Sequence, residues 1–267
     1  MLDGGWGGIP KYLHRIAREL ARGGDSVRLL ANTWRWDSDI PEAPGVGLRL
    51  KGAAPWLEVA VPLYALARRA DVLWAPNTNL PRRPLKPTVA TVHDLAPLIF
   101  PDSKPPAVVE AFRTTLSRSV RAATRVICVS QSTARDTERL WGVDPERITV
   151  IPNGVDARFT PGDRDAARAA VAERHGITRP YVLHVGTLEP RKGLDVLIDA
   201  AATRPDWTLV LAGRLGFDGE RLAAKATAAG ATLLQGLDDD ALVALYRGAE
   251  VLAARERLIE RMQRAAG

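Results

Sequence analysis

Short β-branched runs, spaced by helical patterns, set the narrowest limit on how this chain can fold. They are SVRLLA (26–31), DVLWAP (71–76), TVATVHD (88–94), RVICVS (125–130), ITVIPNG (148–154), YVLHVGT (181–187), TLVLAGR (208–214), ATLLQG (231–236) and EVLAA (250–254). Each is continuously apolar instead of alternating, as strands are when helices cover both faces of a parallel sheet. Helical patterns occupy residues 9–22, 106–123, 132–141, 163–174, 193–203, 218–229 and 239–247. In the first of these, Ile9, Leu13, Ile16, Ala17 and Leu20 form one stripe, and Pro10 suits a first turn. Strand–helix alternation of this kind predicts a doubly wound α/β architecture. The segment PNGVDARFTPGDR (152–164) is rich in Pro, Gly and Asp and divides two such blocks, giving expected domains at 1–156 and 157–267.

Charge and cysteine use narrow the function classes. Lys and Arg outnumber Asp and Glu by 37 to 31, but the arginines are scattered and not interleaved with aromatics. Nucleic acid is therefore not an expected partner, whereas phosphorylated small molecules and anionic lipid are compatible with the balance. No apolar run approaches the roughly 20 residues that span a bilayer. The glycine-rich start has no signal-peptide core. Cys128 has no disulfide partner and lies in an apolar run, so it reads as buried, in a cytoplasmic protein.

Several stretches carry chemistry. The opening MLDGGWGGIPKYL sets Gly4, Gly5, Gly7 and Gly8 around Trp6, a pattern suited to a loop where bare backbone meets a phosphate or sugar. EPRKGLD (189–195) follows a strand and opens a helix. That places Arg191 and Lys192 at a helix N-terminus, where exposed N–H groups and two cations suit a diphosphate. A solvated basic loop with Glu189 as charge partner is the alternative. His93 and Asp94 end the strand TVATV, and a His there faces the ligand crevice of an open α/β sheet. The alternative is a structural imidazole pinned by Asp94. In SQSTARD (130–136), Ser132 suits a helix N-cap and Ser130 a substrate contact. In LAGR (211–214), Gly213 permits close backbone approach. Asp238, Asp239 and Asp240 read as a helix cap with first-turn acids, and no metal cluster is expected from four scattered His and one Cys. Neither a dinucleotide fingerprint nor a P-loop is present.

The ordered set GGWGGIPKY, TVHDL, VICVSQST, ITVIPNGVD, LHVGTLEPRKGLD, LVLAG and LVALYRGAEVL resembles glycosyltransferase family 4 through nearly the whole chain to about residue 254. The resemblance implies a GT-B fold of two facing Rossmann-like domains, the second incomplete, and retaining transfer from a nucleotide diphosphate sugar without a cofactor or metal. The form GTLEPRKG looks most like bacterial mannosyl- and related hexosyltransferases of polysaccharide assembly. By resemblance, Gly7 and Gly8 contact the sugar or donor phosphate and His93 lines the sugar site as the catalytic candidate. Arg191 and Lys192, with Gly186 and Thr187, bind the donor diphosphate, while Asp94, Ser130 and Gly213 are further site candidates. The implied partners are the sugar donor and a glycan or lipid-linked acceptor, with peripheral association at the inner membrane surface.

Two departures from the family pattern stand out. The family sets a strand before the glycine loop, where this chain has Leu2 and Asp3. After AEVLAA the family continues with Pro-Ser, a Glu-Gly-Phe-Gly stretch and a second glutamate seven residues after the first; this chain reads ARERLIERMQRAAG. Glu256 and Glu260 lack that spacing, so the acidic donor-binding roles do not transfer to them. Residues 254–267 are expected to form a basic amphipathic helix with Leu258, Ile259 and Met262 inward. These departures leave a second reading open: a shortened GT-B chain that binds nucleotide without catalysis.

Overall fold

A computed structural model describes residues 8–33 and 40–253. The chain divides into two compact units, one of residues 1–101 and 106–154, the other of 102–105 and 155–267. Each is built from parallel strands and covering helices.

The first unit opens with α1 (Gly8–Arg22), followed by β1 (Leu29–Ala31) and β2 (Gly45–Gly47), which pair in parallel. The apolar stripe of α1 is only partly used. Ala17 is buried, and Leu13 packs with Ala21, Leu29 and Ile40, whereas Ile9, Ile16 and Leu20 are exposed. A continuous helical stretch then runs through α2 (Ala53–Pro55), a π-turn (Trp56–Ala60) and α3 (Val61–Ala67). It was not evident from the sequence, because Pro55 and Pro62 interrupt the helical pattern. The wide turn absorbs Pro62, which falls in the first turn of α3, where its missing N–H costs nothing.

The main sheet of this unit has the order β3-β4-β5-β6, all parallel: β3 (Leu73–Ala75), β4 (Thr88–Val92), β5 (Arg125–Cys128) and β6 (Ile148–Val150). Among the described residues it shares no ladder with β1-β2. Between β4 and β5 lie α4 (Ala96–Ile99), α5 (Pro106–Ala111) and α6 (Ser117–Ala122), the last two joined by a π-turn. After His93 and Asp94 end β4, Ala96 and Pro97 already form the first turn of α4. After β5 comes α7 (Gln131–Trp141). Ala90, Val92, Val126 and Cys128 fill the core with Val120 and Trp141, and burial pushes the Cys128 thiol up. Each of these buried valines stabilises the unit by about 2 kcal/mol.

The second unit runs α8 (Arg164–His175), β7 (Tyr181–Val185), α9 (Leu194–Ala202), β8 (Thr208–Ala212), α10 (Gly219–Ala228), β9 (Thr232–Leu234), α11 (Asp239–Gly248) and β10 (Val251–Leu252). Its parallel sheet has the order β10-β7-β8-β9. Period-two geometry splits the apolar runs between two cores. Val210 and Ala212 join Val171, Leu183 and Leu245 on one face, while Leu209 and Leu211 join Leu194, Ile198 and Leu222 on the other. Helices on both faces are why these runs need no polar alternation. The Tyr181 hydroxyl donates to the Leu245 carbonyl at 2.8 Å, and burial raises its phenol to about 12. Asp238 caps α11 through the Ala241 N–H at 2.7 Å, with Asp239 and Asp240 in the first turn.

Candidate functional site

At the carboxyl end of β7 the chain must turn while β8 ends beside it. Gly186 donates to the Ala212 carbonyl at 2.9 Å, and the two backbones meet at Gly186 and Gly213. A Cβ on Gly213 would lie 1.8 Å from the Gly186 oxygen, so nothing larger than hydrogen fits. Beyond the glycines the loops stay zipped: Leu188 donates to the Arg214 carbonyl at 2.9 Å and Gly216 to the Leu188 carbonyl at 3.0 Å. Thr187 sits half-buried in this loop, its methyl 2.5 Å from where a Gly216 Cβ would stand.

A 3-10 turn, Pro190–Lys192, follows, then Gly193 at φ 70°, then α9. Arg191 and Lys192 therefore stand in a tight turn before the helix and not in its first turn. The buried left-handed position between turn and helix is one that glycine fills without a Cβ penalty. Glu189 is 1% exposed and forms ion pairs with Arg191 and with Lys104 from the 102–105 segment. A carboxylate this buried is tolerable only when paired. Glu189 is thus a charge partner of Arg191, as the alternative to the diphosphate loop expects, but the pair is interior and not solvated. Arg191 and Lys192 are both half-buried. In the first turn of α9, Asp195 accepts from both terminal nitrogens of Arg221, which hold its carboxyl down at about 2.

A second strand end, in the first unit, is organised differently. His93 Nε2 lies 2.8 Å from the Pro76 carbonyl. A carbonyl only accepts, so Nε2 carries a proton and donates it there. Tyr12 of α1 packs edge-on against His93, with ring centroids 4.9 Å apart, and against Trp74 at 5.9 Å. Asp94 does not pin the imidazole; its carboxylate accepts from the Ala96 N–H at 3.0 Å and caps the turn into α4. Ser130, not Ser132, is the N-cap of α7, accepting from the Thr133 N–H at 3.0 Å. Thr133 Oγ1 in turn donates to the His93 carbonyl at 3.4 Å. Capping thus couples Ser130 to His93 through one side chain.

Gly8 is exposed at the start of α1. Gly7, the two glutamates Glu256 and Glu260, and the expected 254–267 helix lie outside the described residues. His93, Asp94, Ser130 and Gly8 belong to the first unit; Gly186, Thr187, Arg191, Lys192 and Gly213 belong to the second.

The family model described as Glycosyltransferase Family 4 matches residues 6–159, and that described as Glycosyl transferases group 1 matches residues 167–261. The chain belongs to glycosyltransferase family 4. Curated relatives of this family 4 chain include D-inositol 3-phosphate glycosyltransferases from Mycolicibacterium vanbaalenii, 31% identical over 92% of the chain and 65% of the relative, and Mycolicibacterium gilvum, 32% identical over 92% and 64%. The chain thus spans just under two thirds of the length of these relatives. Among solved structures, Anabaena Alr3699/HepE in complex with UDP and glucose is 19% identical with a TM-score of 0.70, covering 94% of this chain and 71% of that one. The Thermosynechococcus elongatus sucrose-phosphate synthase is 20% identical with a TM-score of 0.73, covering 92% and 69%. The fold of this family 4 member is GT-B, built from Rossmann-like parallel-sheet units.

Proposed function

We propose that this family 4 chain carries out retaining transfer of a hexose from a nucleoside diphosphate sugar, with Arg191 and Lys192 holding the donor diphosphate. The carrying observation is the turn after β7, where two half-buried cations and a buried carboxylate stand at the end of a parallel strand. As the sugar–phosphate bond breaks, negative charge grows on the leaving nucleotide, and fixed cations stabilise it most at that point. Glu189 keeps Arg191 in place beforehand, so little reorganisation is needed when the charge develops. Gly186, Thr187 and Gly213 let backbone approach the phosphates, and Gly7 and Gly8 contact the transferred sugar or the donor phosphate. His93 offers Nδ1 to a sugar hydroxyl, and Asp94 and Ser130 hold the turns around it.

The relatives named as inositol phosphate glycosyltransferases favour a phosphorylated polyol as acceptor. A mannose-like sugar and a glycan or lipid-linked acceptor of polysaccharide assembly form the second reading, drawn from GTLEPRKG. That acceptor places the enzyme at the inner face of a membrane.

Titration with UDP, GDP and ADP by calorimetry, followed by turnover assays of the matching sugar donors, tests the reading. Binding that falls at least tenfold in Lys192→Ala, with turnover lost in the same variant, supports it. Binding without turnover supports a nucleotide-binding chain that does not catalyse. Binding unchanged in Lys192→Ala removes the assigned diphosphate site.

A further inference from the structure

Residues Asp102–Pro105 belong to the second unit, although the chain before and after them lies in the first. The segment is stiff: Pro101–Ser103 form a 3-10 turn, and Pro105 and Pro106 fix their own φ immediately after it. Ser103 is buried, and Lys104 projects from the segment to pair with Glu189. The Lys104 side chain is 24% exposed and that of Glu189 2%.

The two oxygens of that carboxylate are divided between two cations. Oε2 takes Lys104 Nζ and Oε1 takes Arg191 Nε. Charge balance at Glu189 needs only one of them. The second changes what Glu189 does to its neighbours. A carboxylate held by one oxygen can turn about its last bond; held by both, it presents Oε1 to Arg191 in one orientation. Glu189 also stands in the turn assigned to a diphosphate, where an interior anion repels phosphate strongly because little water screens it. Lys104 offsets that charge from the other side.

We propose that Lys104 is a positioning residue for the sugar donor: acting through Glu189, it holds Arg191 in place and lowers the repulsion between Glu189 and the diphosphate. Lys104 acts at the carboxylate and not at the phosphates, so its effect on binding must vanish when the carboxylate is gone. The inference rests on the diphosphate reading of Arg191 and Lys192, and it adds to that reading a residue 85 positions before Glu189 in the chain.

A double-mutant cycle read by calorimetry with UDP, GDP and ADP tests it. Lys104→Met should lower affinity for the nucleotide that the parent chain binds by about tenfold, and Lys104→Arg should restore most of it. In a Glu189→Gln background, Lys104→Met should cost nothing further. Thermal melting shows that each variant is folded at the titration temperature. Should Lys104→Met not be, Lys104→Gln, which keeps a hydrogen-bond donor without the charge, carries the same expectation. Unchanged affinity in the folded variant reduces Lys104 to a structural tie and overturns the proposal. An equal loss in the Glu189→Gln background also overturns it, since Lys104 would then act on the phosphates directly. Failure of the diphosphate reading looks different: the parent chain binds none of the three nucleotides, or Lys192→Ala leaves binding unchanged, and the assignment of Lys104 falls with it.

Discussion

The turns after β4 and after β7 occupy equivalent places, each at the carboxyl end of an interior parallel strand, yet they are held by different forces. Around His93 the supports are neutral apart from the Asp94 carboxylate: a carbonyl, two aromatic rings and a pair of caps. Around Arg191 they are a buried carboxylate with two cations, and two backbones in contact. Neutral supports are separable, because each hydrogen bond or ring contact contributes about 1 kcal/mol and can be lost alone. Buried charges and touching backbones are not separable, since removing one member strands the others. The first turn should therefore tolerate single changes that the second does not.

The sharpest way to break this contrast is Gly213→Ala. A methyl 1.8 Å from a carbonyl oxygen cannot be relieved by a side-chain rotation, so the loss should exceed about 4 kcal/mol in urea denaturation. A mild effect would mean the two loops can part. Next comes Glu189→Ala, expected to cost about 3 kcal/mol by leaving Lys104 and Arg191 without their anion, and to weaken nucleotide binding in calorimetry. Glu189→Gln should recover part of the stability and little of the affinity. On the neutral side, Ser130→Ala should cost only about 1 kcal/mol, the worth of an N-cap, measured by the same denaturation.

The smallest effect concerns Asp195, which borders the charged turn but is a third exposed. Its carboxyl is held at about 2, below its ordinary 3.8, by Arg221 and Lys225. A depressed carboxylate contributes stability above the ordinary value and loses it as pH falls through about 2. Asp195→Asn should cost about 1 kcal/mol at neutral pH after solvent screening. The difference from the parent chain should close as acid unfolding is followed toward pH 2.

Much of this could be read from the residues. The runs that became β4, β7 and β8 announced themselves because both faces are covered, and Asp238 declared the start of α11 through its own side-chain chemistry. β2 did not, since GVG has almost no strand preference of its own and is fixed by pairing with β1. The helix at 53–67 was hidden by prolines whose tolerance depends on a π-turn. For the site, EPRKG was legible as a strand-to-helix turn with cations. The interior position of Glu189 was not, because its partner Lys104 lies 85 residues earlier. The packing of Tyr12 on His93 was equally out of reach, as it brings together rings 81 residues apart in the chain.

Every ladder among the described residues is parallel, and this has a cost in time. No strand can find its neighbour through a tight hairpin; Tyr181 must reach Thr208, and Val182 must wait for Val251 at the far side of three helices. Such distant closures come late and slowly, leaving sticky half-built sheets exposed meanwhile. Slow synthesis at low temperature, or chaperone assistance, should therefore raise the yield of native chain more than any single stabilising substitution.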